Sequence, residues 1–468
     1  MTTTFSQFRH SATIAIEDIR LQGALDGATS TFINARLRAL AELPDSGRLR
    51  DHLKTVRSAT LAQLARHLET FEARATAAGA QVHWARDAAE AGRIVTGIAR
   101  RHGVTLATKS KSMATEEIHL NHALIQAGVE PVETDLGEWI IQLAGEPPSH
   151  IIAPAIHKTR QQVADLFSRQ SGQSLSADDI PLLTAAARRI LRQKFLAAGM
   201  GISGANIGVA ETGSVVLVTN EGNGRLVTSA PPVHVAVMGI EKVAPTWDDA
   251  AAWLALLARS ATGQPLSIYT SIVTGPARPG DADGPEEVHV ILLDNGRSQL
   301  VGTTYEEALQ CIRCGACLNV CPVYREAGGH AYGSPYSGPI GAVVTPLLFG
   351  LEEYEALPHA SSLCGACLEA CPVRIDLPRM LLELRADEVE EKILPWTERK
   401  LEEAAAFVLA RERLLRFVAG ALRLLQRPLV GNGRLRLPRR LNPAGERQLP
   451  ALAKKSFREM WEDEEIGD

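Results

Sequence analysis

With 468 residues, 45% hydrophobic and 22% charged, the chain has room for two or three cored domains and the make-up of a folded rather than a disordered or fibrous protein. A formal net charge of −5 leaves no basic excess, so no nucleic-acid partner is expected. No uncharged apolar run reaches the roughly 18 residues needed to span a bilayer.

The N-terminus, MTTTFSQFRHSATIAIEDIR, lacks an apolar signal core and carries acids early, so it reads as uncleaved and the chain as cytoplasmic. Residues 1–70 read as helices: AIEDIRLQGALDGATSTFINARLRAL and LRDHLKTVRSATLAQLARHLETFEARATAAG both carry apolar residues at helical spacing. From Gln81 the pattern alternates. VHWA reads as a strand and AAEAGRIVTGIARRHG as a helix ending at Gly103. VTLATKS reads as a strand, MATEEIHLNHALIQAG as one helix, and VEPVET and HIIAPA as strands. Further on, SVVLVT, VHVAVM and EVHVILLDNG are strand-like, separated by glycine-rich turns. This βαβ alternation implies an α/β domain over residues 71–304 with a parallel sheet covered by helices.

A cysteine-bearing module is expected over 305–380. All seven cysteines lie between Cys311 and Cys371, a distribution that suits metal or redox use rather than a disulfide scaffold. CIRCGACLNVCP places Cys311, Cys314, Cys317 and Cys321 at the spacing of a bacterial four-iron ferredoxin run. In two-cluster proteins the fourth cysteine of such a run ligates the other cluster. A four-cysteine zinc site is the competing reading, weakened by the repeated CxxCxxC and the CP ending. SSLCGACLEACP repeats the motif with Ser361 in place of the first cysteine, followed by Cys364, Cys367 and Cys371. The repetition, after about forty residues, suggests a pseudo-twofold dicluster module. Swapped ligation assigns Cys311, Cys314, Cys317 and Cys371 to cluster one and Cys321, Cys364 and Cys367 to cluster two. The fourth iron of cluster two is left to Ser361, another ligand, water or absence. The cofactors expected are two [4Fe-4S] clusters, the second three-cysteine ligated and labile, or a three-iron cluster.

Residues 381–468 read as charged helices, a basic segment and an acidic tail. Val408 to Arg440 holds nine arginines and one glutamate. In RERLLRFVAGALRLLQR, Leu414, Leu415, Phe417, Val418, Ala421, Leu422 and Leu425 form an apolar face that suits packing, a partner or an anionic membrane surface.

On these cysteine motifs, and on TKSKSMATEEIHLN, ETDLGEWIIQL, HIIAPAIHK, GVAETGSVVLVTNEGNGR and KKSFREMW, the chain resembles the LutB-type lactate-utilisation iron–sulfur proteins. The resemblance implies a LUD domain similar to ribose-5-phosphate isomerases and CoA transferases, followed by the α-helical dicluster module and C-terminal helices. It also implies electron relay in a complex oxidising L-lactate to pyruvate. Two companions are implied: a glycolate-oxidase-like iron–sulfur protein and an isolated LUD protein. The other class of reading is a non-redox LUD protein that binds or converts a metabolite, with structural or sensory clusters.

Within the α/β region, Lys109, Ser110, Lys111 and Ser112 follow a strand and precede a helix, where a carboxylate could bind. Glu211-Thr212-Gly213-Ser214 and Glu221-Gly222-Asn223-Gly224-Arg225 flank one strand and could share a cleft, with Glu211 a candidate acid/base; plain turn chemistry is the alternative. His119, His122, His157 and His234 show no mutual ligand spacing. No GxGxxG opens a βαβ unit, so neither NAD nor FAD is expected here.

Overall fold

The computed structural model describes residues 2–394, 396–436 and 449–462. Residues 1–388 form one compact unit and 389–468 a second.

Four helices open the first unit: α1 (Phe5–Glu17), α2 (Ile19–Ala41), α3 (Ser46–Ala62) and α4 (Leu64–Ala77). The helical region thus runs past residue 70. Asp18 ends α1 and caps α2 by accepting the N–H groups of Arg20 and Leu21.

The alternating region follows as β1 (Gln81–Ala85), α5 (Ala88–Arg101), β2 (Leu106–Lys109), α6 (Met113–Glu117), α7 (Leu120–Gln126), β3 (Glu130–Glu133), α8 (Leu136–Ala144), α9 (Arg160–Ser171), α10 (Ile180–Ala197) and β4 (Met200–Gly204). Then come β5 (Ile207–Val209), β6 (Ser214–Thr219), α11 (Asn223–Ser229), β7 (Val233–Gly239), β8 (Val243–Ala244), α12 (Trp247–Ala261), β9 (Tyr269–Val273) and β10 (Glu287–Leu293). Six strands make a parallel sheet in the order β1-β10-β7-β4-β2-β3. Its central strand β7 is buried along its whole length, which is why VHVAVMG is nearly all apolar. A second, mixed sheet, β8-β5-β6-β9, was not foreseen.

Two expected elements differ. MATEEIHLNHALIQAG breaks into α6 and α7 at His119, whose φ is 50°. Glu117, at the end of α6, is drawn inward to Arg297, Asn295 and Tyr336. HIIAPA is a loop and not a strand. The Ile152 and Ala153 N–H groups donate to His150 Nδ1, and Ser149 N–H to the Pro154 carbonyl. A short apolar run ending in proline buries its side chains equally well in such a loop.

The cysteine region comprises α13 (Ala316–Val320), α14 (Pro322–Ala327), α15 (Gly338–Phe349), α16 (Ala366–Ala370) and α17 (Leu377–Glu390). Its buried residues, Cys314, Leu318 and Tyr336 among them, share one core with Phe71 of α4, Val216 of β6, Met238 of β7 and Trp253 of α12.

The second unit holds α18 (Trp396–Leu409), α19 (Glu412–Leu425), a small hairpin of β11 (Val430–Gly431) and β12 (Arg434–Leu435), and α20 (Phe457–Glu462). No residue of α19 is buried, and Phe417, Leu422 and Leu425 are exposed. The proline-containing linker and the acidic tail lie largely outside the described residues.

Candidate iron–sulfur centre

The two cysteine loops are built alike. In the first, Arg313 and Gly315 take φ of 58° and 75°; in the second, Leu363 and Gly365 take 54° and 82°. Left-handed residues on either side of the middle cysteine curl each loop so that its thiols converge. Each loop then enters a five-residue helix, α13 or α16, that ends on Cys321 or Cys371. The two helices pack against each other. The repeat differs after its last cysteine: Pro322 starts α14, whereas Pro372 enters a turn.

The thiols fall into two electrostatic sets. Burial pushes Cys314 up to about 12, with the neighbouring Cys371 and Cys311 adding to the rise. Cys317 is raised by burial and by Cys311, Cys314 and Cys371. Cys371 is pushed up to about 11 by burial, with Cys311 adding to it. In the other set, burial and the nearby Cys321 and Cys364 push Cys367 up to about 12. Cys321 is raised by burial and by Cys364. Cys364 is exposed, and hydrogen bonds from the Ala366 N–H and from Ser362 lower it.

The surroundings of the first set are cationic. Arg36 and Arg50 act on Cys371, Arg36 also on Cys314, and Arg57, Lys242 and Arg313 on Cys311. They are fixed by carbonyls: Arg36 Nη2 donates to Ala370 O at 2.7 Å and Lys242 Nζ to Cys311 O at 2.7 Å. Fully buried Arg57 donates to the carbonyls of Val243, Glu241, Leu309 and Gln310 and stacks on Trp253. None of these cations was foreseen, because Arg36, Arg50 and Arg57 lie some 250 residues or more before the cysteines they face and carry no motif.

Several buried donors around the thiols have no protein partner: Arg36 Nε, Arg50 Nε, Arg313 Nη1 and the Tyr332 hydroxyl. Tyr332 is fully buried and neighbours both Cys321 and Cys317. Unsatisfied donors and convergent thiols are what an anionic sulfide-containing group would satisfy, so the residues fit iron–sulfur clusters. Ser361 stands at the repeat position of Cys311: its Oγ accepts the Leu363 N–H at 3.1 Å, as Cys311 Sγ accepts the Arg313 N–H at 3.4 Å.

The candidates in the α/β region are placed differently. Lys109 is fully buried, its Nζ donating to Glu133 and Asn121 at 2.6 Å each with Glu116 at 3.5 Å. Burial lowers its pKa, but the carboxylates outweigh this and hold it above the usual lysine range. Its ammonium is therefore not presented to a ligand. Lys111 donates to Ile152 O and lies among Asp135, Glu138 and Glu221, which makes the expected anion site acidic; Glu138 is pushed up to about 8, chiefly by burial. Ser112 caps α6, and the Ser110 N–H pairs with β4.

Glu211 Oε1 accepts the Trp247 N–H at 2.6 Å, at the start of α12. Glu221 Oε2 accepts the Leu136 N–H at 3.4 Å. The two glutamates flank opposite ends of the extended β6, so their turns share no cleft. A Cβ at Gly213 would meet the Ala75 backbone nitrogen at 2.1 Å, so this glycine serves a close approach. His119 opens α7, His122 pairs with Gln126, His157 with Glu146 and His234 with Ser203.

Comparison with known proteins agrees with this layout. The LUD domain family matches residues 68–293, and the 4Fe-4S dicluster domain family matches residues 307–375. Lactate utilization protein B of Bacillus velezensis is 44% identical over 386 residues, covering 82% of this chain and 81% of its own. The protein of the same name from Shouchella clausii is 42% identical over 449 residues, covering 95% and 94%. A crystal structure of a DUF162 family protein from Deinococcus radiodurans covers 49% of this chain and 98% of its own at 14% identity, with a TM-score of 0.26. Sustained over most of both sequences and joined to a LUD domain with a cysteine-rich dicluster domain behind it, this identity means that the chain belongs to the lactate utilization protein B family.

Proposed function

We propose that the chain is the electron-carrying iron–sulfur subunit of an assembly that oxidises L-lactate to pyruvate, releasing two electrons and two protons. The two thiol sets carry this reading. When bound, two four-iron clusters would accept and release single electrons. The chain's own residues hold the thiols in two sets, burying Cys314, Cys317 and Cys371 of the first and leaving Cys364 of the second exposed. Cys311, Cys314, Cys317 and Cys371 would ligate the first cluster, and Cys321, Cys364 and Cys367 the second, with Ser361 a candidate for its fourth ligand. The neighbourhoods of the thiols support this swapped assignment.

Two companion proteins, a glycolate-oxidase-like iron–sulfur protein and an isolated LUD protein, would complete the assembly in the cytoplasm, where the basic second unit offers a peripheral membrane or partner contact. Among the described residues no helix is long and apolar enough to cross a membrane. The enclosure of Lys109 speaks against it as a lactate-binding residue.

Iron and acid-labile sulfide analysis of anaerobically purified protein should give two cubane clusters' worth or one iron fewer. Cys371→Ser should abolish the first cluster's spin-resonance signal and Cys321→Ser the second's. Loss of the opposite signals would overturn the ligand assignment, and absence of sulfide would overturn the redox role.

A further inference from the structure

The lower edge of the parallel sheet, opposite the loops that follow Lys109 and Glu133, gathers histidines that the reading above does not use. Glu287 and His289 open β10, His83 sits in edge strand β1, and His102 ends α5. The register sets Gln81 against His289 and His83 against Ile291, so His83 and His289 are diagonal neighbours on one face. Glu287 is two residues from His289 and shares that face. α5 lies on it and brings His102 down as the chain turns toward β2.

His289 Nε2 is buried and has no hydrogen-bond partner. It lies 3.2 Å from Glu287 Oε2, and His102 Nε2 lies 3.5 Å from the same oxygen. All three ligand atoms fall within 4.8 Å of one another. Zinc–nitrogen and zinc–oxygen bonds of about 2.0–2.1 Å give a tetrahedral edge of about 3.3–3.4 Å, close to both spacings. His83 Nε2 meets His289 Nδ1 at 3.1 Å; with Nδ1 as the donor, this is the outer hydrogen bond that fixes a ligating imidazole and leaves its Nε2 lone pair free. Gln81 Nε2 steadies Glu287 Oε2 at 3.1 Å. Arg101 is the opposing charge nearby, but its side chain is exposed and screened by solvent. His102 is also exposed, which leaves an entry path.

From this geometry we propose that His102, Glu287 and His289 bind a divalent transition ion of the zinc class, with water in the fourth position. The ion clamps the end of α5 to β10, and His83 of edge strand β1 supports it through His289. Its place at the sheet edge away from the strand-end loops makes it a structural staple rather than a reaction centre.

The test uses the full chain with its clusters, purified anaerobically and dialysed against buffered zinc. One zinc per chain beyond the cluster iron is expected, with a higher melting temperature. Glu287→Gln and His102→Ala, both at accessible positions, should each weaken zinc binding at least tenfold and abolish the thermal shift. His52→Ala, on the exposed face of α3, should change neither. A cobalt-substituted difference spectrum should show four-coordinate bands without thiolate charge transfer. Zinc held equally well by both variants, a thiolate band, or no zinc held at all would each overturn the site and leave a hydrogen-bonded histidine group only.

Discussion

The buried arginines around the first thiol set bear on how electrons would divide between two clusters. A nearby fixed cation favours the more negative, reduced state of a cluster. Arg36 is largely buried and acts on both Cys314 and Cys371. Arg36→Gln should therefore lower the midpoint potential of the first cluster and leave the second nearly unchanged, as potentiometric titration followed by spin resonance would register. Gly213 poses a steric rather than an electrostatic problem. With φ of 67° and the Ala75 backbone where a Cβ would sit, Gly213→Ala should destabilise the fold by about 3 kcal/mol or more, read from denaturant midpoints. The two cysteine motifs were legible because each is set by a short spacing along the chain, and the dicluster domain match covers both. The cations and Tyr332 were not, because their partners are set by tertiary packing. Glu211 and Lys109 look functional in sequence for a related reason: a charged residue beside a strand end reads the same whether it faces a ligand, caps a helix or, like Lys109, is closed in by Glu133 and Asn121.

Among the elements, the loop from Ser149 to Pro154 joins the sheet to the cysteine helices. His150 Nε2 pairs with Asn319 of α13 at 3.1 Å, and the Tyr324 hydroxyl of α14 donates to Ser149 O at 2.8 Å. Burial, helped by Lys111, lowers His150 from 6.5 to about 4. Burial does the same to His234, with His289 adding to it. Between these values the folded state binds fewer protons than the unfolded chain, so stability falls as pH drops from 6.5 toward 4. Each histidine contributes on the order of 3 kcal/mol to that loss once pH is below its folded value. Denaturant midpoints taken from about pH 7 down to about pH 5 should fall, and His150→Gln should flatten the slope. Periodicity made the opening helices, α5 and the strands β1, β2, β3, β6, β7 and β10 legible, but α9, α10 and α12 were not read from it. The loop was not, since HIIAPA has a strand's composition and its conformation is decided by a histidine that accepts its own backbone N–H groups.

Across the whole molecule, the cysteine helices and the sheet share one core, so the first 388 residues are a single compact unit. Sequence divides this stretch into successive motifs because each motif is local, whereas burial is not. Withdrawing iron with a chelator under anaerobic conditions should therefore loosen β6 and α12 as well as α13 and α16. Amide hydrogen exchange in those sheet-side elements should rise with that of the helices; protection unchanged in β6 and α12 would mean that the cysteine helices come apart alone.

Cys364 stands at the surface while Cys314, Cys317 and Cys371 are enclosed. Corrosion by air has an order built into that difference. With clusters bound, oxygen and peroxide would be expected to reach the site of Cys364 first. A sample briefly aerated should thus pass through a half-charged form that keeps its inner complement of iron, and restoring the outer site alone should return it to service.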